Sequence, residues 1–276
     1  MNDENTIGRE EIRALLQRAV RREAARDTVQ TVWGEPLVGF AAADHPLILQ
    51  LKESVGVRHL LPQDVLPEAR TVIAYFVPFT RELARSNRDG ATASRAWAVA
   101  YEETNALFGR LNERLIAALR KAGQQAAVTP EALRFDRRLL VSNWSQRHFA
   151  RAAGLGTFGL NNMLLTRHGG CGRLSTVITD LDVEPDEPLR EELCLYRAAL
   201  ERGEKPRCGV CMRVCPAGAL TPDHYDRQAC YRVCRENARR FTGLGQSYAD
   251  DAENGSVGSE VCGKCVVSGP CAFWKR

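Results

Sequence analysis

All ten cysteines of this 276-residue chain fall between Cys171 and Cys271. Whatever chemistry they carry therefore belongs to the last part of the chain. The densest stretch is Cys208–Pro216, CGVCMRVCP, which reads Cys-x2-Cys-x3-Cys-Pro. Two thiolates three positions apart can grip neighbouring corners of a 4Fe–4S cubane, and a Cys-Pro turn lets the last thiolate point away towards a second cluster.

The stretch is the closing three-quarters of the bacterial ferredoxin run. The leading Cys of that run would stand at position 205, where the chain has Lys205, so a fourth ligand must come from elsewhere. The N-terminus, MNDENTIGREE, is acidic and polar rather than a signal peptide, and no apolar run approaches a membrane-crossing length. The expected setting is cytoplasmic and away from membranes, where cysteines serve as metal ligands rather than disulfides. At 44% hydrophobic and 26% charged, the composition is that of an ordinary globular protein. Its formal charge of +4 would fall near zero with two oxidised clusters of about −2 each. Charge alone does not argue for nucleic acid.

Residues 8–25 place Ile12, Leu15, Leu16, Ala19 and Val20 at helical spacing. A strand broken by Gly34 and Pro36 leads into GFAAAD, and PLILQLKESV suggests a short helix. Thr71–Phe79, TVIAYFVPF, predicts a buried central strand that Pro78 terminates, followed by a loop over 80–93. Ser94 to Lys121 predicts a long helix, capped by Ser94 and stopped at Gly123, with Trp97, Tyr101, Phe108, Leu111, Leu115 and Leu119 on one face. QAAVTP suggests a short strand, and 143–153 a helix that runs into the glycine turn AGLGTFG. Two strands joined around Gly169–Gly172 follow. Strands interleaved with helices predict an α/β or α+β domain over 1–187, with VEPDEP as the seam to a ferredoxin-like module over 188–276.

Two cubanes need eight thiolates. Beyond Cys208, Cys211 and Cys215, the chain offers Cys194, Cys230, Cys234, Cys262, Cys265 and Cys271. In two-cluster ferredoxins the first three thiolates of one motif join the last of the other. One cluster would then use Cys194, Cys208, Cys211 and Cys271, and the other Cys215, Cys230, Cys262 and Cys265. Cys234 lies one helical turn from Cys230 and could exchange roles with it, while Cys171 is left over. The alternative is zinc, because Cys-x2-Cys at 208/211 and at 262/265 is also the spacing of a four-cysteine ribbon.

The order AGLGTFG, two strands, CxxCxxxCP, DRQACY and CGKC resembles the epoxyqueuosine reductase family, which is similar in part to reductive dehalogenases. The resemblance covers most of residues 35–271. It implies a three-layer domain related to the nitroreductase fold and holding a base-off cobalamin, with two 4Fe–4S clusters beside the corrin. It further implies that Gly154, Gly156 and Gly159 let the backbone approach the corrin. The family's proton-donating acid, in a D-S-x-P-V pattern, falls here on Leu140, and Asp136 is the nearest carboxylate.

Candidate polar groups cluster in NWSQRH, 143–148, where Trp144 and His148 would share a helix face. His148 is a candidate proton donor because its ordinary pKa lies near neutrality. Tyr75 reads as core, and the width of any cavity between it, this helix and the glycine turn is the feature that decides whether a corrin could enter. Arg227, Arg232, Arg235, Arg239 and Arg240 give the helix through Cys230 a basic face, either solvated or able to steer an anion such as tRNA. The leading function is an iron–sulfur oxidoreductase acting on a small molecule or modified nucleoside, with a ferredoxin or flavodoxin as donor. The competing readings are a non-catalytic electron-transfer protein without corrinoid and a zinc-stabilised binding module.

Overall fold

The computed structural model describes residues 7–129, 135, 136, 138–244 and 258–274. In chain order the elements begin with α1 (Arg9–Ala24), β1 (Leu37–Ala42), α2 (Pro46–Leu49), α3 (Leu51–Ser54), α4 (Pro62–Val65) and β2 (Thr71–Pro78). Then come α5 (Arg81–Ser86), α6 (Arg95–Lys121), β3 (Ala126–Ala127), β4 (Phe135–Asp136), β5 (Val141–Ser142) and α7 (Gln146–Ala152). They continue through β6 (Gly156–Phe158), β7 (Leu164–Thr166), β8 (Gly172–Thr179), α8 (Leu195–Glu201), α9 (Val210–Arg213), α10 (Arg227–Arg240) and α11 (Lys264–Val267).

β2 is the axis of the fold. It pairs antiparallel with β1 on one side and β8 on the other, and β3 extends the sheet to the order β1-β2-β8-β3. Its residues 71–77 are all buried, as an uninterrupted apolar strand requires. Because side chains alternate along a strand, β2 feeds two separate cores. Ile73, Tyr75 and Val77 join α1 and α6 on one face, whereas Val72 and Ala74 join α2, α3 and α7 on the other. The result is an α+β domain in three layers, helix, sheet and helix, with an antiparallel sheet.

Helix α6 follows the sequence expectation. Ser94 Oγ accepts the Trp97 N–H at 3.1 Å at its start, and Trp97, Phe108, Leu111, Leu115 and Leu119 are buried. Glu23 of α1, almost wholly buried, receives Arg110 and Arg114 of α6 at 2.6 and 2.7 Å, which ties the two helices together.

Three expectations are corrected. The stretch 80–93 is not all loop: Thr80 Oγ1 accepts the Leu83 N–H at 3.2 Å and starts α5. The helix expected over 143–153 begins at Gln146. The two strands around Gly169–Gly172 do not form a hairpin, because β7 pairs with β6 while β8 joins the main sheet.

The cysteine-rich part docks on this frame from two sides. Gly170 N–H donates to Cys271 O at 2.8 Å. Asn87 Nδ2 donates to Cys262 O at 2.8 Å, and the buried Lys264 ammonium donates to the carbonyls of Asn87 and Asp89 at 2.8 and 2.6 Å. Val261, Val267 and Ala272 enter the same core as α6. Among the described residues, no helix is long and apolar enough to cross a membrane.

A pair of glycine substitutions tests the packing. A Cβ on Gly156 would collide with the backbone carbonyl of Leu165 across β6 and β7. Gly156→Ala should cost about 1–3 kcal/mol, lowering Tm by roughly 2–4 °C for each of those. Gly109 lies in α6 with open space around it, so Gly109→Ala should stabilise by up to about 1 kcal/mol. Thermal denaturation of both variants reads this directly.

Candidate iron–sulfur site

Two short C-G-x-C loops build the site in the same way. In the first, Gly209 takes φ +128° and opens α9; in the second, Gly263 takes φ +74° and opens α11. Both conformations favour glycine. Each turn sends the chain into one helical turn, so that Cys208 and Cys211, and likewise Cys262 and Cys265, face a common point.

The remaining thiols close around these two points. Cys194, Cys208, Cys211 and Cys271 all line one pocket, floored by Leu160 and Leu165. Burial, followed by the Cys194 and Cys208 thiols, pushes Cys211 up to about 11. Burial, then Cys194, Cys211 and Cys208, pushes Cys271 up to about 12. Cys194 is the fourth member that the missing leading Cys demanded. It sits at the N-cap of α8, where Glu192 Oε1 accepts its N–H at 2.7 Å and the Thr157 hydroxyl at 2.8 Å.

The second group is Cys215, Cys230, Cys262 and Cys265. Burial raises Cys265, and its neighbours Cys262, Cys230, Cys215 and Cys211 raise it further. Cys262 is raised by burial and then by Cys230 and Cys215. Cys230 is the exception: hydrogen bonds from Cys234 and from the Tyr225 hydroxyl bring it down to about 6, against the opposing effect of burial. The influence of Cys211 on Cys265 makes the two groups neighbours. Asn161 also lies between them, lining the first pocket while its amide donates to Cys265 O at 3.2 Å.

Burial raises Cys211, Cys262, Cys265 and Cys271, and neighbouring thiols raise them further, a conflict that a cationic core relieves. That donor chemistry fits an iron–sulfur cluster at each group. Among the described residues, no three His, Cys, Asp or Glu side chains converge as ligands of a single ion. Cys171 joins neither group; it is buried beside β2, and burial pushes its thiol up to about 12.

The residues nominated for a corrin are placed differently from expectation. Tyr75 and α7 lie on opposite faces of the sheet, so no cavity is shared by Tyr75, α7 and the glycine turn. Tyr75 donates its hydroxyl to Asn112 Oδ1 at 2.7 Å. The space a Cβ would take at Gly154 is held by Glu187 O, 2.6 Å away, and at Gly156 by Leu165 O. Gly159 faces Asn161 Oδ1 at 2.6 Å and borders the first cysteine pocket. The glycine turn therefore packs on its own chain and against the first thiol group.

Trp144 precedes α7 instead of sharing its face. Its ring stacks on Phe149 with centroids 4.1 Å apart, and its Nε1–H donates to Thr176 Oγ1 at 2.8 Å. His148 Nδ1 is hydrogen-bonded to Ser145 Oγ at 2.6 Å, with its ring against Phe158. Burial, then the charges of Arg147, His59 and Arg151, brings its pKa down to about 4. His148 is therefore neutral at pH 7 and is not an imidazolium acid. Leu140 holds φ +52°. Asp136 pairs with Arg58 and accepts the N–H groups of Arg138 and Leu139 at 2.9 and 2.8 Å, a turn-capping role. Arg227, Arg232, Arg239 and Arg240 are exposed, as on a solvated helix face.

Tyr225, Glu192, Asn161 and Lys264 escaped the sequence reading. Each acts through a contact distant along the chain or through a backbone group, and no spacing rule marks such contacts.

No family model matches the chain. Over 180 residues, 63% of its length, it is 26% identical to the epoxyqueuosine reductase of Salmonella typhimurium, of which the match covers 42%. The epoxyqueuosine reductase structure from Streptococcus thermophilus superposes with a TM-score of 0.52 at 17% identity, over 91% of this chain and 64% of that one. A reductive dehalogenase, whose structure was described as suggesting a mechanism for B12-dependent dehalogenation, superposes with a TM-score of 0.51 at 16% identity, over 84% and 30%. The chain spans less than half the length of the curated relative and about two thirds of the structural one. With its two thiol groups placed beside this three-layer domain, the chain is similar in sequence to an epoxyqueuosine reductase and shares its fold with epoxyqueuosine reductases and a reductive dehalogenase.

Proposed function

We propose that the chain is an iron–sulfur oxidoreductase of the epoxyqueuosine reductase type, carrying two 4Fe–4S clusters. The observation that carries this reading is the sorting of eight thiols into two interleaved groups of four. Cys194, Cys208, Cys211 and Cys271 would hold one cluster, and Cys215, Cys230, Cys262 and Cys265 the other. A zinc ribbon would need 208/211 and 262/265 in one site, whereas these pairs fall into different groups. When bound, the clusters supply one-electron transfer.

The chain's own residues order and shield that site. Gly209 and Gly263 turn the ligand loops inward, Asn161 spans the two groups, and the Tyr225 hydroxyl steadies the Cys230 sulfur. Ferredoxin or flavodoxin is the proposed donor, and a small molecule or modified nucleoside the proposed substrate; the reductase similarity supports the substrate class. His148 has its Nδ1 engaged by Ser145 Oγ and is a neutral imidazole at pH 7 rather than an acid.

The resemblance extends the proposal to a cobalamin as electron acceptor. The glycines nominated to cradle it do not fit, since the carbonyls of Glu187 and Leu165 occupy the space beside Gly154 and Gly156. The same observation favours a second reading, electron transfer to a partner without corrinoid. Corrinoid extracted from anaerobically purified protein supports the first reading, and tight cluster loading without any cobalamin uptake supports the second.

Anaerobically purified protein should be brown and contain about eight irons per chain. Cys208→Ala should lose about half of that iron and also lower Tm, because thiolate–metal binding is coupled to folding. Zinc in place of iron would contradict the proposal.

The depressed pKa of His148 carries a pH signature. From its ordinary 6.5, the unfolded chain takes up a proton first as pH falls, so stability is fully present above about 6.5 and declines towards pH 4. Between pH 7 and 5 the Tm of the wild type should fall more steeply than that of His148→Gln, with the full effect of His148 reaching up to roughly 3 kcal/mol. His59, also lowered by burial, leaves a residual slope of the same sign in the variant.

A further inference from the structure

Five thiols, not four, surround the second group. Cys230 and Cys234 stand one turn apart on α10, and their sulfurs are hydrogen-bonded to each other. Residues four apart share a helix face, so both thiols are presented to the same place. Cys234 also lies against the Cys262 thiol and the Glu260 carboxylate. The first group has no such spare, since Cys171 belongs to the sheet core.

Resting on the two-cluster reading, we propose that Cys230 and Cys234 are alternative ligands to one iron of the second cluster, each able to replace the other. The exchange balances without an oxidant. The bound thiol is a thiolate, and its partner keeps a proton shared along the S–H···S contact. As one Fe–S(Cys) bond breaks and the other forms, that proton crosses from the incoming sulfur to the outgoing one. The iron oxidation state and the net charge do not change. The Tyr225 hydroxyl bonds Cys230, which makes Cys230 the resting ligand.

The test compares anaerobically purified wild type, Cys230→Ala, Cys234→Ala and the double variant by iron and sulfide content and by EPR of the reduced protein. Each single variant should keep about eight irons and the double variant about four. The EPR signal of Cys230→Ala should change in shape at unchanged iron content. A fall to about four irons in either single variant overturns the proposal. If Cys230→Ala is insoluble, Cys230→Val refills the volume without a donor. Loss of soluble protein in both, with Cys234→Ala still loaded, also overturns it, because a working spare ligand would hold the fold. Wild type without iron would sink the two-cluster reading itself, a separate result.

Discussion

Thiols gathered in one buried place oppose one another's ionisation, and the architecture of the last third of this chain follows from relieving that conflict. Each C-G-x-C loop supplies two sulfurs, but a cubane needs four. The other two arrive from far along the chain: Cys194 and Cys271 close on the first loop, Cys215 and Cys230 on the second. Closing both groups at once fastens residues 194–271 to themselves. Without a cationic core, the same set would be a repulsive one, with thiols held well above their ordinary range.

The sheet domain makes this arrangement rigid. Lys264 buries its ammonium between two carbonyls of the loop joining α5 and α6, and Asn87 of that loop holds the Cys262 carbonyl. The β7–β8 connection holds the Cys271 carbonyl. Both thiol groups are thus referenced to the buried strand β2 and the buried face of α6. Electron transfer depends on fixed distances, and such a frame supplies them.

Much of this was legible in the sequence because the relevant signals are local. Cysteine spacing marked the two C-G-x-C loops, and an apolar run flanked by Pro78 predicted β2. Ser94 and a helical face predicted α6. What escaped depends on pairing between distant segments. The alternation along β2 sends Tyr75 to one face and Ala74 to the other, but only the packing of α6 and α7 tells which face each helix covers. For that reason Tyr75 and α7 do not enclose a common cavity. β7 and β8 read as one hairpin until their separate partners are known. Asn161 carries no spacing signal, because it reaches Cys265 from 104 residues away.

The neighbouring of the two groups, through Cys211 and Cys265, gives the most direct test of the central claim. EPR of the dithionite-reduced wild type should show two interacting paramagnets, a spectrum broadened by spin coupling that integrates to about two unpaired electrons per chain. An isolated signal of about one unpaired electron, or a silent protein that carries zinc, would contradict it.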